Sequence, residues 1–592
     1  MTIDQIKENL VDLLKKALLD LPKDFIFELE PPPQPEMGDL CFSCFKIAKH
    51  LNQSPDQTAS DLAKLFGTKI PLIDLVDKIE AKGPYLNIFL EKNIWFETVC
   101  QQVLKQKDKF GHTKTGKGKK ILIEYSAPNT NKPQHLGHLR NNFLGWTMAN
   151  LFSTTGAKVI KANLVNDRGV HICKSMLAYQ KWGQGKTPEL EKIKGDHFVG
   201  QYYVLFEENA KENPELLDEV QEMLKQWEEG NASVMTLWQQ MNQWAINGLK
   251  QTYEKIGVEF DYWYFESDIY NSGKKIVQKA LKKKLCYQRE DKAIEIDLTH
   301  TNSALRMRPC EYKKENLGKK VLLRPNGTSV YITQDIGLAK LRQDQFEPNK
   351  AIYVVGSEQD YSFRVLFKIL EIFGFDWVKS SYHLSYGLVF LPKGKMKSRE
   401  GEIVDADNLI NQMEQLAKSE TLNRNPSLSP TEVSKRAEII SLAALKFYLL
   451  KFTPSQQVNF DPQASISFEG DSGPYIQYTY ARIKSILKKF DHKEKTNKID
   501  YSVLGNKEET ELFKLLFIFP QILEKSVNTY NPSHLAHHVL RLSQRFNEFY
   551  HQHRVLKAEP KLRNGRLKLI QAVAEVIKNS LHLLGIKILE EM

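Results

Sequence analysis

The period of the apolar positions changes along the chain, and three regimes follow from it. The opening MTIDQIKENLVDLLKKALLDL has helical spacing and reads as an amphipathic helix. Strand-like pieces, FIFELE (25–30) and YLNIFLE (85–91), follow among more helical periodicity, and the regime ends at the basic, turn-rich FGHTKTGKGKK, which reads as a linker. The strand KILIEYSAP, a helix through HLRNNFLGWTMANLFSTTG and the strand AKVIKANLV then make a strand, helix, strand unit of the doubly wound type. Residues 185–285 are rich in helix formers and Lys/Glu pairs and predict a helical insertion, before strands resume at AIEIDL, KKVLLR and SVYIT. AIYVVGSEQD and YHLSYGLVFL are expected to continue the sheet. From 434 the stretches SKRAEIISLAALKFYLLKF, YIQYTYARIKSILKKF, HHVLRLSQRFNEFYHQHRVL and IKNSLHLLGIKILEEM predict a helical bundle.

The expected architecture is therefore multidomain α/β. An α+β N-terminal domain covers 1–112, and a doubly wound, Rossmann-type domain covers 113–385 with its insertion at 185–285. A connection covers 386–433, and an α-helical bundle covers 434–592. A length of 592 residues supports such a division, because a single core stops growing well before that size.

Composition narrows the class only a little. Hydrophobic residues at 41% and charged residues at 26% fit a globular protein and exclude a disordered one. The excess of 83 Lys and Arg over 72 Asp and Glu, a net +11, permits a polyanionic partner without requiring one. The basic tracts KKIVQKALKKK (274–284) and LKAEPKLRNGRL (556–567) read as solvated. Six scattered cysteines suit a reducing compartment; Cys41 and Cys44 have CxxC spacing but no second ligand pair follows, so burial on a helix is expected and a structural zinc is not. Asp4, Glu8 and Asp12 deny the opening helix the character of a signal or transit peptide. No apolar run reaches the ~18 residues of a membrane span, so a soluble, cytoplasmic protein is expected.

Chemistry concentrates in EYSAPNTNKPQHLGHLR (124–140), a strand end running through a polar turn into a helix near Pro133. His135 and His138, three apart, fall on one face of a first helical turn, where N–H groups and the dipole favour an anion such as phosphate. Gly137 between them lets a flat ring approach the backbone. A solvated helix start is the plain alternative for an isolated HxxH, and its position after a strand and a Pro-Asn turn argues against it.

HLGH resembles the HIGH signature of class I aminoacyl-tRNA synthetases, and SAPNTNKPQHLGHLRNNFLG resembles its arginyl version. The resemblance implies that His135 and His138 stabilise charge on ATP as the arginine carboxylate attacks the α-phosphorus. GKMKSREG (394–401) resembles the KMSKS loop, with Lys395 and Met396 in its first positions. Lys397 and Ser398 stand where serine and lysine are usual and Arg399 follows, so the second cation is displaced and either Lys397 or Arg399 is left to reach the phosphates.

A guanidinium substrate calls for carboxylates and planar acceptors. SVYITQDIGLAK, with Tyr331 and Asp335 four apart, resembles the YxTxD element of arginyl enzymes, which reads the substrate. Glu124, Asn129 and Gln359 match further positions of that family's amino-acid pocket. Taken alone, Asp335 reads equally as a helix cap and Gln359 as a loop residue. PYIQYTYAR resembles the family's anticodon-binding domain and carries Tyr475, Gln477 and Tyr478 as candidate tRNA contacts; a tyrosine stripe at helical spacing is otherwise core. GPYLNIFL resembles its extra N-terminal domain, with Tyr85 and Asn87 as candidates for an exposed base of the tRNA D-loop.

The resemblance runs in order along essentially the whole chain. It implies activation of arginine with ATP to arginyl-adenylate, release of pyrophosphate, and transfer to the 3′-terminal ribose of tRNA(Arg). Mg2+ is expected with ATP, adenylation is expected to need bound tRNA, and a monomer is expected on family grounds. A class I synthetase for cysteine or lysine, a catalytically dead RNA-binding relative and a small-molecule nucleotidyltransferase are the competing readings.

Overall fold

The computed structural model describes residues 2–592 apart from 19–24, 26, 31, 33, 35, 36, 67, 300–315, 392–404 and 491–498. The helix Ile3–Ala17 opens with a Thr2/Gln5 capping box and buries Ile3, Ile6, Leu10, Leu13 and Leu14 along one stripe. Behind it lies a four-stranded antiparallel sheet in the order Leu29–Glu30, Leu40–Ser43, Tyr85–Leu90, Val76–Lys82. Among the described residues of FIFELE only Leu29 and Glu30 are strand. Cys41 lies on the Leu40–Ser43 strand and Cys44 caps the next helix, so the pair is buried but not on a helix; burial pushes both thiols up to about 11.

FGHTKTGKGKK is no free linker. Phe110 is buried against Phe519, and Thr113 and Gly116 donate to the carbonyls of Thr154 and Thr155 at 2.8 and 2.9 Å. The preceding helix Lys92–Gln106 stacks Phe96 on Phe513 of the C-terminal bundle, ring centroids 3.7 Å apart.

The central sheet has five parallel strands in the order Ser381–Tyr386, Lys350–Gly356, Lys120–Glu124, Lys158–Val165, Tyr262–Phe265. In chain order this is 5-4-1-2-3, so strand order reverses between Lys120–Glu124 and Lys350–Gly356, where such sheets open a ligand crevice at their carboxyl ends. Ile121, Leu122 and Ile123 are buried, as a middle strand covered on both faces requires.

Three expectations change here. The edge strand Tyr262–Phe265 comes from inside the stretch expected to be helical, after the helices Gly195–Glu212, Leu216–Glu228 and Ala232–Ile256. AIEIDL and KKVLLR do not join the main sheet; Ile294–Asp297 and Lys319–Leu323 pair antiparallel in a separate three-stranded sheet with Tyr287–Gln288. SVYIT is not a strand. Its Val330 is the extended N-cap of the helix Tyr331–Phe346, and Thr333 Oγ1 ties that first turn to the Leu322 carbonyl.

The C-terminal helices are Pro430–Leu450, Gly473–Lys488, Lys507–Asn528, Ser533–Gln552 and Pro560–Leu583. The last ends earlier than its periodicity suggests: Gly585 takes φ +70 and Ile586 donates back to the Leu581 carbonyl at 2.8 Å, a glycine-terminated cap. Of the basic tracts, 556–567 is not simply solvated, since Arg566 is buried and donates through Nε to Glu509 Oε1 at 2.7 Å. No helix among the described residues is long and apolar enough to cross a membrane.

Candidate active site

The strand Lys120–Glu124 delivers the chain to the switch point, and the next residues bend sharply: Ser126 and Ala127 take φ +80 and +53. Asn141 holds this bend, its Oδ1 accepting from Ser126 N at 2.6 Å and its Nδ2 donating to the Val354 carbonyl at 2.8 Å. The helix Leu136–Ser153 then starts at Leu136 rather than near Pro133. His135 is its N-cap.

His135 Nδ1 accepts from Gly137 N at 3.1 Å and His138 Nδ1 accepts from His135 N at 3.2 Å, with the ring centroids 4.0 Å apart. Both δ nitrogens are thus acceptors, which puts the proton on Nε2. Burial, then the cation of Lys132, lowers His135 to about 4; burial, His135 and Lys132 hold His138 well below the imidazole range. The pair is therefore neutral, two fixed N–H donors rather than two cations. The positive charge belongs to Lys132, which the sequence reading passed over although it lies inside the motif. Gly137 has a stricter reason than ring access, because a Cβ there would lie 2.9 Å from His135 Cε1.

Arg140, fully buried one turn on, donates Nη1 to the carbonyls of Gly387 and Gln456 at 2.6 and 2.7 Å and Nη2 to those of Pro454 and Thr453 at 3.1 and 3.3 Å. It ties the signature helix to the main chain at Gly387 and at Thr453, Pro454 and Gln456.

Across the switch point, Glu124 stands level with Ala162 and Tyr353 of the neighbouring strands. Its carboxylate is paired with Arg342, a buried residue of the helix Tyr331–Phe346 that also stacks on Tyr264 at 4.8 Å. Asp335 of that helix is not its cap, because the cap is Val330; burial first and Glu124 second push its carboxyl up to about 7, against Arg342. Glu266, which the sequence reading missed, is raised to about 7 by burial, then by Asp335 and Asp167. Glu124, Asp335 and Glu266 thus gather three carboxyls, with Arg342 and Arg168 as the cations acting on them. Asn129 is half-buried beside them, bridged to Asn166. Tyr331 (72% exposed) and Gln359 stand at the surface, and Lys395, Met396, Lys397, Ser398 and Arg399 lie outside the described residues.

A family model described as the catalytic domain of class I tRNA synthetases (R) matches residues 99–461. The arginyl tRNA synthetase N terminal domain matches 4–90 and the DALR anticodon binding domain 476–592. The arginine–tRNA ligase of Treponema denticola is 45% identical over 95% of this chain and 94% of its own, and that of Borrelia hermsii 40% identical over 99% and 100%. The chain belongs to the arginyl-tRNA synthetase family. In fold it is similar to the Thermus thermophilus arginyl-tRNA synthetase, with a TM-score of 0.81 at 24% identity over 99% of this chain and 100% of that one.

Within this synthetase the candidate RNA residues separate. Gln477 is fully buried and donates to the Lys587 carbonyl at 2.7 Å, so it secures the C-terminal segment. Tyr475 is half-buried, its hydroxyl accepting from Asn547 at 2.9 Å. Tyr478 does face a cleft of about 250 Å³, lined also by Arg424, Arg436, Phe468 and Met592, and Arg482 lies 4.8 Å from its ring and 5.2 Å from that of Tyr550. In the N-terminal domain Tyr85 meets the exposed Phe45 edge-on at 6.4 Å, whereas Asn87 is 1% exposed and faces the interior.

Proposed function

We propose that this arginine–tRNA ligase forms arginyl-adenylate in the slot between Glu124, Asp335 and Glu266 and the HLGH corner. The observation that carries the reading is the gathering of Glu124, Asp335 and Glu266 at one place beside the HLGH helix, with burial and mutual repulsion raising the last two. Asp335 and Glu266, each lifted to about 7, recover their charge when a guanidinium enters, and arginine's planar fork suits two carboxylates. Glu124 keeps Arg342 in place as the wall of the slot; Asn129, Tyr331 and Gln359 are proposed to border it, orienting the substrate's α-amino and carboxylate end.

One oxygen of the arginine carboxylate attacks the α-phosphorus of ATP, the bond to pyrophosphate breaks, and the mixed anhydride remains. A 3′-terminal ribose hydroxyl of tRNA(Arg) then attacks the arginyl carbonyl and AMP leaves. Such transfers need positioning and fixed donors, not a protein nucleophile. The Nε2–H groups of His135 and His138 are fixed donors for the phosphate oxygens, with Lys132 as the neighbouring cation and Lys395 with Lys397 or Arg399 proposed for the departing pyrophosphate. Magnesium arrives on ATP. Tyr85, Tyr475 and Tyr478 are proposed tRNA contacts, and the protein is proposed to act as a cytoplasmic monomer with the domain limits given above.

The test is arginine binding by titration calorimetry in buffers of different ionisation heat near pH 7. Proton release on binding is expected, and its absence, or unchanged binding in Asp335→Asn, would contradict the pocket assignment.

A further inference from the structure

Lys194 and His197, at the start of the insertion helix Gly195–Glu212, meet Asp405 and Asp407 at the start of the helix Ala406–Arg424. Lys194 Nζ donates to Asp407 Oδ2 at 2.6 Å, Asp196 Oδ2 at 3.0 Å and Thr252 Oγ1 at 2.5 Å. His197 Nε2 lies 2.9 Å from Asp407 Oδ2 and 3.5 Å from Asp405 Oδ2. The ligand atoms of Asp196, His197 and Asp407 lie within 4.8 Å of one another, a spacing open to a metal ion. The Lys194 ammonium already stands between the two carboxylates, so the cluster carries its own cation and reads as an ion-pair latch.

What the latch holds is the entry to HLGH. Ala406 N–H donates to the Gln134 carbonyl at 2.9 Å, and Asp405 pairs with His135 as an isolated antiparallel bridge. The same insertion helix lies against the other side of this entry: a Cβ on Gly200 would stand 3.0 Å from Pro133 Cδ and 3.6 Å from Lys132 Cα. Behind it, a Cβ on Gly248 would fall 2.5 Å from Asp196 N, so the helix Ala232–Ile256 closes on the cluster. The turn carrying Lys132 and His135 is thus held between two elements, the insertion helix Gly195–Glu212 and the start of the helix Ala406–Arg424, which the ion pairs join.

We propose that Lys194 and His197 are positioning residues for adenylate formation, fixing through Asp405 and Asp407 the main chain at Gln134 and His135 that aims the two imidazoles. The inference rests on the adenylation reading above and deepens it by giving the insertion a share in the phosphate corner. Lys194 supplies the first cation of the latch, and His197 a second, pH-dependent one. His197 faces Asp407, Asp405 and Asp196, and shares the Asp407 Oδ2 with Lys194. The bond to Asp407 raises the imidazole first, burial opposes it, and Asp405 and Asp196 add to the rise. Its charged pairing is present at low pH and is lost as pH rises through that raised value.

The experiment is arginine-dependent ATP–pyrophosphate exchange by the full-length protein with tRNA, from about pH 6 to 9, in wild type, Lys194→Met, Lys194→Arg and His197→Gln. Lys194→Met is expected to lower kcat about tenfold or more while the KM for arginine stays within about twofold, because a small displacement of aimed donors weakens the transition state alone. Lys194→Arg is expected to restore most of the rate. His197→Gln, at an unchanged melting temperature, is expected to lose the alkaline decline of kcat. Unchanged kcat in Lys194→Met and an unchanged profile in His197→Gln overturn the proposal, as does a fall in kcat matched by KM and melting. If Lys194→Met does not fold, the His197→Gln profile decides alone. Wild-type protein that exchanges no pyrophosphate with arginine overturns the adenylation reading and this inference together, whereas active wild type with silent variants overturns only this one.

Discussion

At the residue scale the slot is held away from its own best stability. Asp335 and Glu266 keep carboxyls near pH 7 that an unfolded chain would ionise near 4. The folded state therefore holds more protons between these values, so the two groups favour folding below about pH 4 and their contribution is lost as pH rises through about 7. Two outcomes follow. Asp335→Asn is expected to raise the thermal midpoint of the unliganded protein at about pH 8 while abolishing arginine binding, as calorimetry can record. The KM for arginine is expected to rise as pH falls below about 7, and a flat profile from pH 6 to 8 would contradict the raised pair. His135 and His138 do not supply that limb, because burial keeps them neutral throughout. Gly137→Ala is expected to leave the fold intact and cut exchange about tenfold or more by displacing the His135 ring, a loss visible in kcat.

At the scale of elements, the signature helix is fastened by Asn141 to the sheet, by Arg140 to four carbonyls beyond it and by Asn150 to the Leu583 carbonyl at 3.2 Å. Arg140→Ala leaves those buried acceptors without their charged donor and is expected to cost about 3 kcal/mol, read as a lowered melting temperature with activity lost in step. The helix itself was legible, since a strand, a polar turn and the HLGH spacing carry local information. Its partners were not. SVYIT alternates like a strand, yet the preceding strand ends at Leu323 and packing carries Tyr331 into a helix, which moves Asp335 from cap to second turn. Glu266 could not be found by spacing, because only the parallel pairing of Tyr262–Phe265 with Lys158–Val165 brings it beside Asp335. Gln477 and Asn87 look like polar contacts in sequence and are buried because their partners, Lys587 and the strand neighbours, lie far off or on both sides.

At the scale of the whole molecule, one apolar core runs from Ile3 through the signature helix to Ile586, and two further cores lie beside it, one under the helix Tyr331–Phe346 and one in the insertion. The three architectures read from periodicity are real, but their junctions are packed rather than linked. Phe96 on Phe513, Phe110 on Phe519 and Lys514 donating to the Gly38 carbonyl at 2.7 Å join the N-terminal part to the bundle. Phe96→Ala is expected to cost about 3 kcal/mol or more and to destabilise N-terminal and C-terminal parts together, visible in hydrogen exchange at both; protection lost in the N-terminal sheet alone would contradict a shared core.

The most direct measurement is ATP-dependent charging of total tRNA by the purified full-length protein, with each labelled amino acid in turn and with His138→Ala alongside. Arginine alone is expected to be attached, with the variant slower by about a hundredfold or more. Charging of another amino acid would contradict the reading of the carboxylate slot, and charging undiminished in His138→Ala would contradict the assignment of the HLGH donors to ATP.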